Sequence, residues 1–208
     1  MAASTLQFRI ATAEDAPQIQ DLVQSAFRAE DIRPDWVGLA DLAAKFYIDL
    51  DEVLVKINQP NSLFMVATSS AASVGDGADG AKADGNAADG NDVVMVAAFQ
   101  LYKRSAELAR FAMFAVDHRY HRRGFGRRSL TFAEDYCRRI WGVSRVDLDA
   151  LSTRPALIAW YERCGYRRTG ETMPFPMERI VGLTVPEDLH FITLDKHLEP
   201  IEGAGEVA

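Results

Sequence analysis

The order of strand and helix patterns predicts a single mixed α/β (α+β) domain on a partly antiparallel sheet. Three observations carry this. Apolar periodicities alternate as β-α-α-β-β-β-α-β-α-β-β along the chain. The 208 residues suffice for one core and are marginal for two. Apolar residues make up 48% and charged residues 25%, ordinary usage for a globular chain.

Leu6–Ile10 reads as a short strand. Thr12 suits a helix N-cap, with Asp15 placed to complete a capping box. Ile19, Leu22, Val23, Ala26 and Phe27 then recur at helical spacing. The Arg33–Pro34–Asp35 run breaks that helix, and a second is expected from Trp36 to Ile57. Residues 62–68 and 93–102 are β-prone, as is Leu108–Asp117. A helix follows over Gly126–Trp141, with Leu130, Ala133, Cys137, Ile140 and Trp141 toward the core. Val143–Leu148 is a strand, Pro155–Arg163 a helix ended by Gly165, and Leu189–Leu194 a last strand. The tail, 199–208, is expected to be loose.

Composition excludes several classes. No apolar run reaches the roughly 18 residues a membrane span needs, and the first ten residues do not form a secretory signal. The two cysteines, Cys137 and Cys164, fit a reducing, cytoplasmic setting. Net charge is −7, and residues 69–92 hold five Asp and one Lys, which leaves −3 for the rest. Such a body argues against nucleic-acid binding. Residues 69–92 repeat Ala-Asp-Gly every five positions with nothing apolar larger than Val, so a disordered hairpin insertion is expected. No Glu closes that stretch as a calcium loop requires, and His118 and His121 lack a third ligand, so no metal is expected.

The richest segment runs from Phe114 to Arg128. A strand enters a loop with Gly124 and Gly126, and a helix begins at once. Glycine lets a ligand approach the backbone, and helix-start N–H groups favour an anion there. Arg119, Arg122, Arg123, Arg127 and Arg128 add positive charge. The plainer reading is a tight turn with a solvated basic face. A dinucleotide loop lacks its third glycine, since Ser129 stands there, and a phosphate-gripping NTPase loop lacks Gly-Lys-Ser/Thr.

This segment resembles the GNAT superfamily of acyl-CoA N-acyltransferases. The family signature, Gln/Arg-x-x-Gly-x-Gly/Ala after a strand, is matched by His121-Arg122-Arg123-Gly124-Phe125-Gly126, with His at the first place. A second motif, Asn-x-x-Ala-x-x-x-Tyr-x-x-x-Gly-Phe, is matched by Tyr161, Gly165 and Tyr166, with Arg154 for Asn and Leu157 for Ala. Residues 154–176 resemble a subgroup with an Arg-Pro start, Tyr-Glu-Arg-x-Gly-Tyr and a Pro-Phe-Pro turn.

The resemblance implies a central, mostly antiparallel sheet of about seven strands flanked by about four helices, and acetyl-CoA as cofactor. It implies that Phe114, Ala115 and Val116 bond the pantetheine arm through backbone. His121, Arg122, Arg123, Gly124, Phe125, Gly126, Arg127 and Arg154 would complete cofactor binding. Tyr161 would protonate the departing thiolate; the alternative is a helix core packer. Glu30, Asp31 and Asp35 would recognise the amine, or form a solvated loop. No base is legible: Glu107 stands about three residues early, with Arg110 in the comparable place. Cys164 as acyl carrier has no neighbouring His.

The expected function is acetyl transfer to a small-molecule primary amine such as a polyamine or amino acid, with the Met173–Met177 turn partly closing the acceptor pocket. The expected chain is a monomer or homodimer without nucleic-acid or membrane partners. Alternatives are a protein or peptide acetyltransferase and a non-catalytic CoA-binding module.

Overall fold

The structure, a computed structural model, describes residues 6–29, 36, 38–70, 93–177, 180 and 182–200. In chain order its elements are β1 (Gln7–Ile10), α1 (Ala16–Arg28), α2 (Ala40–Ala44), α3 (Leu50–Ile57), β2 (Ser62–Ser70) and β3 (Val93–Lys103). There follow β4 (Leu108–Val116), α4 (Phe125–Trp141), β5 (Arg145–Leu151), α5 (Pro155–Arg163), β6 (Arg167–Pro174) and β7 (His190–His197). The strands form one seven-stranded sheet in the order β1-β2-β3-β4-β5-β7-β6. β1–β2, β5–β7 and β6–β7 are antiparallel, and β4–β5 is parallel. This is the mixed, mostly antiparallel sheet that the element order predicts.

The chain divides into two compact units. The first comprises Met1–Ala26, Tyr47–Gln100 and Met113–Ser129; the second comprises Phe27–Phe46, Leu101–Ala112 and Leu130–Ala208. In the first unit, Leu6, Ala67, Val96, Ala97 and Phe125 form a buried cluster against which Phe8, Val116 and Tyr120 pack. In the second, Ala133 and Cys137 of α4, Val146 and Leu148 of β5, and Leu194 of β7 are fully buried.

Four sequence expectations are corrected. The helix expected over Trp36–Ile57 is two short ones, α2 and α3, with irregular backbone over 46–49. Distant partners take the carbonyls a continuous helix would use: Arg28 Nε donates to Phe46 O at 2.6 Å, and Gln20 Nε2 donates to Ile48 O at 2.8 Å. Phe46 stacks on Phe27 at 4.4 Å, and Ile48 is buried. Second, Ile140 faces solvent with 64% of its surface exposed; the core stripe of α4 ends at Cys137. Third, β2 continues to Ser70 and buries Ser69, so residues 69 and 70 are strand rather than loop. Residues 71–92 and 201–208 lie outside the described residues. Fourth, the Met173–Met177 turn is partly strand, because β6 runs to Pro174.

The capping box at the start of α1 forms as the sequence implies. Thr12 N–H donates to Asp15 Oδ2 at 2.8 Å, and both Arg9 amino groups reach the same carboxylate at 2.7 Å. The Arg9 hydrogen bonds hold the Asp15 carboxyl down to about 2, against the opposing effect of burial. A depressed carboxyl pKa stabilises the fold above the unfolded value and loses that effect as pH falls through the folded one. Asp15→Ala is expected to cost about 1–2 kcal/mol near neutral pH. Urea midpoints should show the gap to wild type closing between about pH 4 and pH 2.

Candidate active site

The first unit builds a loop suited to an anion. β4 leaves the sheet through Asp117, whose N–H donates to Val96 O at 2.9 Å. The Asp117 carboxylate is buried and receives Arg119 N–H at 2.9 Å and Arg119 Nη2 at 2.6 Å. Arg119 is therefore committed to Asp117, and these bonds raise its pKa. Arg122 and Gly124 both take left-handed backbone, with φ of 64° and 77°. Turn backbone of this kind can line a concavity with N–H groups, which suits an anion. A Cβ at Gly124 would meet nothing within 4 Å, so the glycine serves the backbone angle and an open approach.

α4 then runs for 17 residues from Phe125. Its first internal bond is Arg128 N–H to Gly124 O at 3.0 Å. The N–H groups ahead of it have no carbonyl one turn back. They and the helix dipole face the loop. Phe125 itself is 2% exposed and lies in the core cluster, edge-on to Tyr120 at 6.4 Å. Its contribution to a ligand is backbone alone. Arg122, Arg123 and Arg127 are exposed and His121 half-buried; the Arg123 guanidinium lies 5.7 Å from the Tyr120 ring centre. A cleft of about 330 Å³ opens beside the loop's entry, between Gln18, Asp21 and Ser25 of α1 and the Asp117–Arg119 turn.

Phe114, Ala115 and Val116 form the last part of β4, just after Met113 at φ 48°. A non-glycine residue in this region costs of order 1 kcal/mol, and it re-aims the strand. Phe114 meets Phe99 edge-on at 6.2 Å. β4 pairs with β5 only over Leu108–Arg110, so the later part of the strand lies beyond that ladder. Nothing in the sequence marks Met113 for this backbone.

In the second unit, α5 carries Tyr161, which is buried. Burial raises its pKa, and the Arg154 charge works the other way. The phenol is thus fully protonated at neutral pH. Its ring meets Trp160 at 5.0 Å and Tyr166 at 5.9 Å. Arg154 caps α5, and its Nε donates to Trp36 O at 2.8 Å. Cys164 and Cys137 are buried and neither is in a disulfide, and burial pushes Cys137 up to about 12. Glu30, Asp31 and Asp35 lie outside the described residues.

Glu107 is exposed in the β3–β4 turn, seven positions before Phe114. Arg110 instead occupies a buried ionic cluster invisible in the sequence. Its Nε and Nη2 reach the two oxygens of Asp147 at 2.9 and 2.7 Å, and Nη1 pairs with Asp149. Arg104 adds a second bond to Asp147 at 2.8 Å, and Thr193 donates to Asp149 at 2.9 Å. Burial disfavours the Arg110 charge, but the two aspartates more than offset it and its pKa rises. Burial raises Asp149 despite Arg110. No group of three or more His, Cys, Asp or Glu able to hold a metal occurs among the described residues.

The candidate features are thus a strand–loop–helix suited to an anion in the first unit and a buried tyrosine on α5 in the second. The comparisons point to one family. Residues 74–166 match the model of the acetyltransferase (GNAT) family. The matched stretch contains both the Gly124–Gly126 loop and Tyr161. No curated protein matches it in sequence. Solved structures share the fold at low identity. The spermidine N-acetyltransferase from Vibrio cholerae in complex with CoA and spermine is 15% identical, with TM-score 0.58 over 93% of this chain and 95% of that one. The ribosomal-protein-S18-alanine N-acetyltransferase from Escherichia coli is 17% identical, with TM-score 0.60 over 98% and 99%. The IAA acetyltransferase from Bacillus cereus ATCC 14579 is 14% identical, with TM-score 0.58 over 93% and 100%. No helix among the described residues is long and apolar enough to cross a membrane.

Removing one partner from a buried charge cluster leaves the others uncompensated. Arg110→Met is expected to cost about 3–5 kcal/mol, read as a lower urea midpoint at unchanged slope. A change under about 1 kcal/mol would mean that Asp147 and Asp149 are solvated in solution.

Proposed function

We propose that the chain moves an acetyl group from acetyl-CoA to the primary amine of a small molecule, a polyamine, amino acid or related amine, as one transferase domain. The observation that carries this reading is the loop 121–126, with left-handed Arg122 and Gly124 opening onto α4. It supports pyrophosphate binding by backbone N–H groups, with His121, Arg122, Arg123 and Arg127 at its rim and Phe125 and Gly126 contributing main chain. Phe114, Ala115 and Val116 bond the pantetheine arm by backbone. The cofactor supplies the activated thioester.

The neutral amine nitrogen attacks the thioester carbonyl carbon, and the C–N bond forms. As the tetrahedral intermediate collapses, the C–S bond breaks and the sulfur keeps the electron pair. Tyr161 supplies the proton that converts thiolate to thiol. The phenolate is refilled by the proton that the new amide nitrogen sheds. The Arg154 charge lowers the cost of that phenolate. An alkyl ammonium, at about 10.4, must lose its own proton before attack. Glu30, Asp31 and Asp35 are our candidates for holding the amine. Cys137 and Cys164, neither in a disulfide, fit a cytoplasmic setting.

A second reading, a peptide or protein acceptor, draws on β6. It ends the sheet order and every residue of it is exposed, with Met173 and Met177 42% and 48% exposed. An open edge strand is a surface on which an extended chain can lie.

CoA release with acetyl-CoA as donor, measured across polyamines, amino acids, other small amines and peptides, separates the two. Turnover confined to peptides would replace the first reading by the second. Binding without turnover across the panel would leave only a CoA-binding module. Tyr161→Phe should lower kcat about 100-fold or more while acetyl-CoA affinity stays within about twofold. Unchanged turnover would remove the acid role.

A further inference from the structure

This inference rests on the transferase reading and concerns its acceptor side. Three contacts of different kinds dock residues 36 and 38 onto the start of α5. Arg154 Nε donates to the Trp36 carbonyl at 2.8 Å. Gly38 has φ +79°, and a Cβ there would lie 2.8 Å from Thr153 O and 2.9 Å from Arg154 Cγ. Backbone is thus pressed on backbone where only glycine fits. The Trp36 ring meets Trp160 edge to face at 6.3 Å, and Trp160 meets Tyr161 at 5.0 Å.

The junction is costly where a passive loop would not be. Thr153 Oγ1 is buried there with no hydrogen-bond partner among the described residues, and a buried hydroxyl so placed is disfavoured. Trp36 and Arg154 stand 118 positions apart in the chain. A guanidinium has donors only and cannot cap the N–H groups at the start of α5, whereas the Trp36 carbonyl accepts from it.

We propose that Arg154 is a positioning residue that holds Trp36 and Gly38 against α5, so that Trp36 and Trp160 form an aromatic wall beside Tyr161 that selects the acceptor amine. The wall presents π faces to an alkylammonium and apolar area to the chain that carries it. In the family motif this place belongs to Asn. Here the longer guanidinium reaches a backbone carbonyl that Asn, two methylenes shorter, does not.

The test uses the full chain with Arg154→Ala, Arg154→Lys and Gly38→Ala. It measures acceptor KM, kcat, acetyl-CoA affinity by calorimetry, and the rate of chymotrypsin cleavage after Trp36. Arg154→Ala and Gly38→Ala should each raise acceptor KM about tenfold, leave acetyl-CoA affinity within about twofold, and speed cleavage after Trp36. Arg154→Lys, which keeps a donor, should recover part of both effects. Where Gly38→Ala does not fold, Arg154→Ala decides alone. Weaker acetyl-CoA binding with unchanged acceptor KM would make Arg154 a cofactor ligand and overturn the proposal; so would unchanged KM with unchanged cleavage. If the wild type acetylates no amine, the transferase reading fails by itself, and wild-type-like cleavage in Arg154→Ala would then overturn the anchor too.

Discussion

The ligand-facing part of the first unit hangs on the burial of Phe125. Its side chain sits among Leu6, Ala67, Val96 and Ala97, so the residue between the two signature glycines is fixed from beneath. A loop with left-handed residues on either side of Arg123 would by itself sample many conformations. Burying one ring of this size contributes roughly 1.5–3 kcal/mol, enough to choose among them. Pinning also fixes where α4 begins, and hence where its first-turn N–H groups point. The shape of the loop is therefore a consequence of core packing, with charge added at the rim. That explains why Arg119 can be spent on Asp117 without removing the site's polarity: the main chain supplies it.

The second unit solves a different problem. Arg110, Asp147 and Asp149 bring charges into the sheet, and the cluster is neutral only when Arg104 is included. Such clusters contribute little net stability, because desolvation offsets attraction. They do resist register slips, since shifting β4 by one residue against β5 would move Arg110 to the other face. β4 pairs with β5 over only three residues. A short parallel ladder needs a pin of this kind, and the ionic cluster supplies it at the last paired residue.

What the sequence showed and what it hid divide by range. Gly124, Gly126 and the strand and helix beside them were legible because local spacing encodes a local turn. Tyr161 and Gly165 were legible for the same reason, within one helix. The Trp36–Ile57 segment misled because its apolar period is real, while the acceptors that break it, Phe46 O and Ile48 O, are taken by α1. Ile140 misled because the buried stripe of α4 is narrower than the apolar one. Met113 has no compositional mark, since its backbone is imposed by the strand it serves. Arg110 looked like a gap where a base should be, because its partners lie on β5, 37 and 39 positions away.

Two departures from the family signature then have one physical account. Under the proposed transfer backbone would do the binding at this loop, so His121 can stand for Gln or Arg where Gly124 and Phe125 shape it. Where a side chain does the work, a replacement must find new work, and Arg154 finds it at Trp36 O. The same guanidinium lies near enough to Tyr161 to favour its phenolate. Under the proposed transfer, this one residue would couple the posture of the segment at Trp36 to the ease with which Tyr161 gives up its proton. An acceptor that fits the wall poorly would disturb both at once, so selectivity would show in turnover as well as in binding.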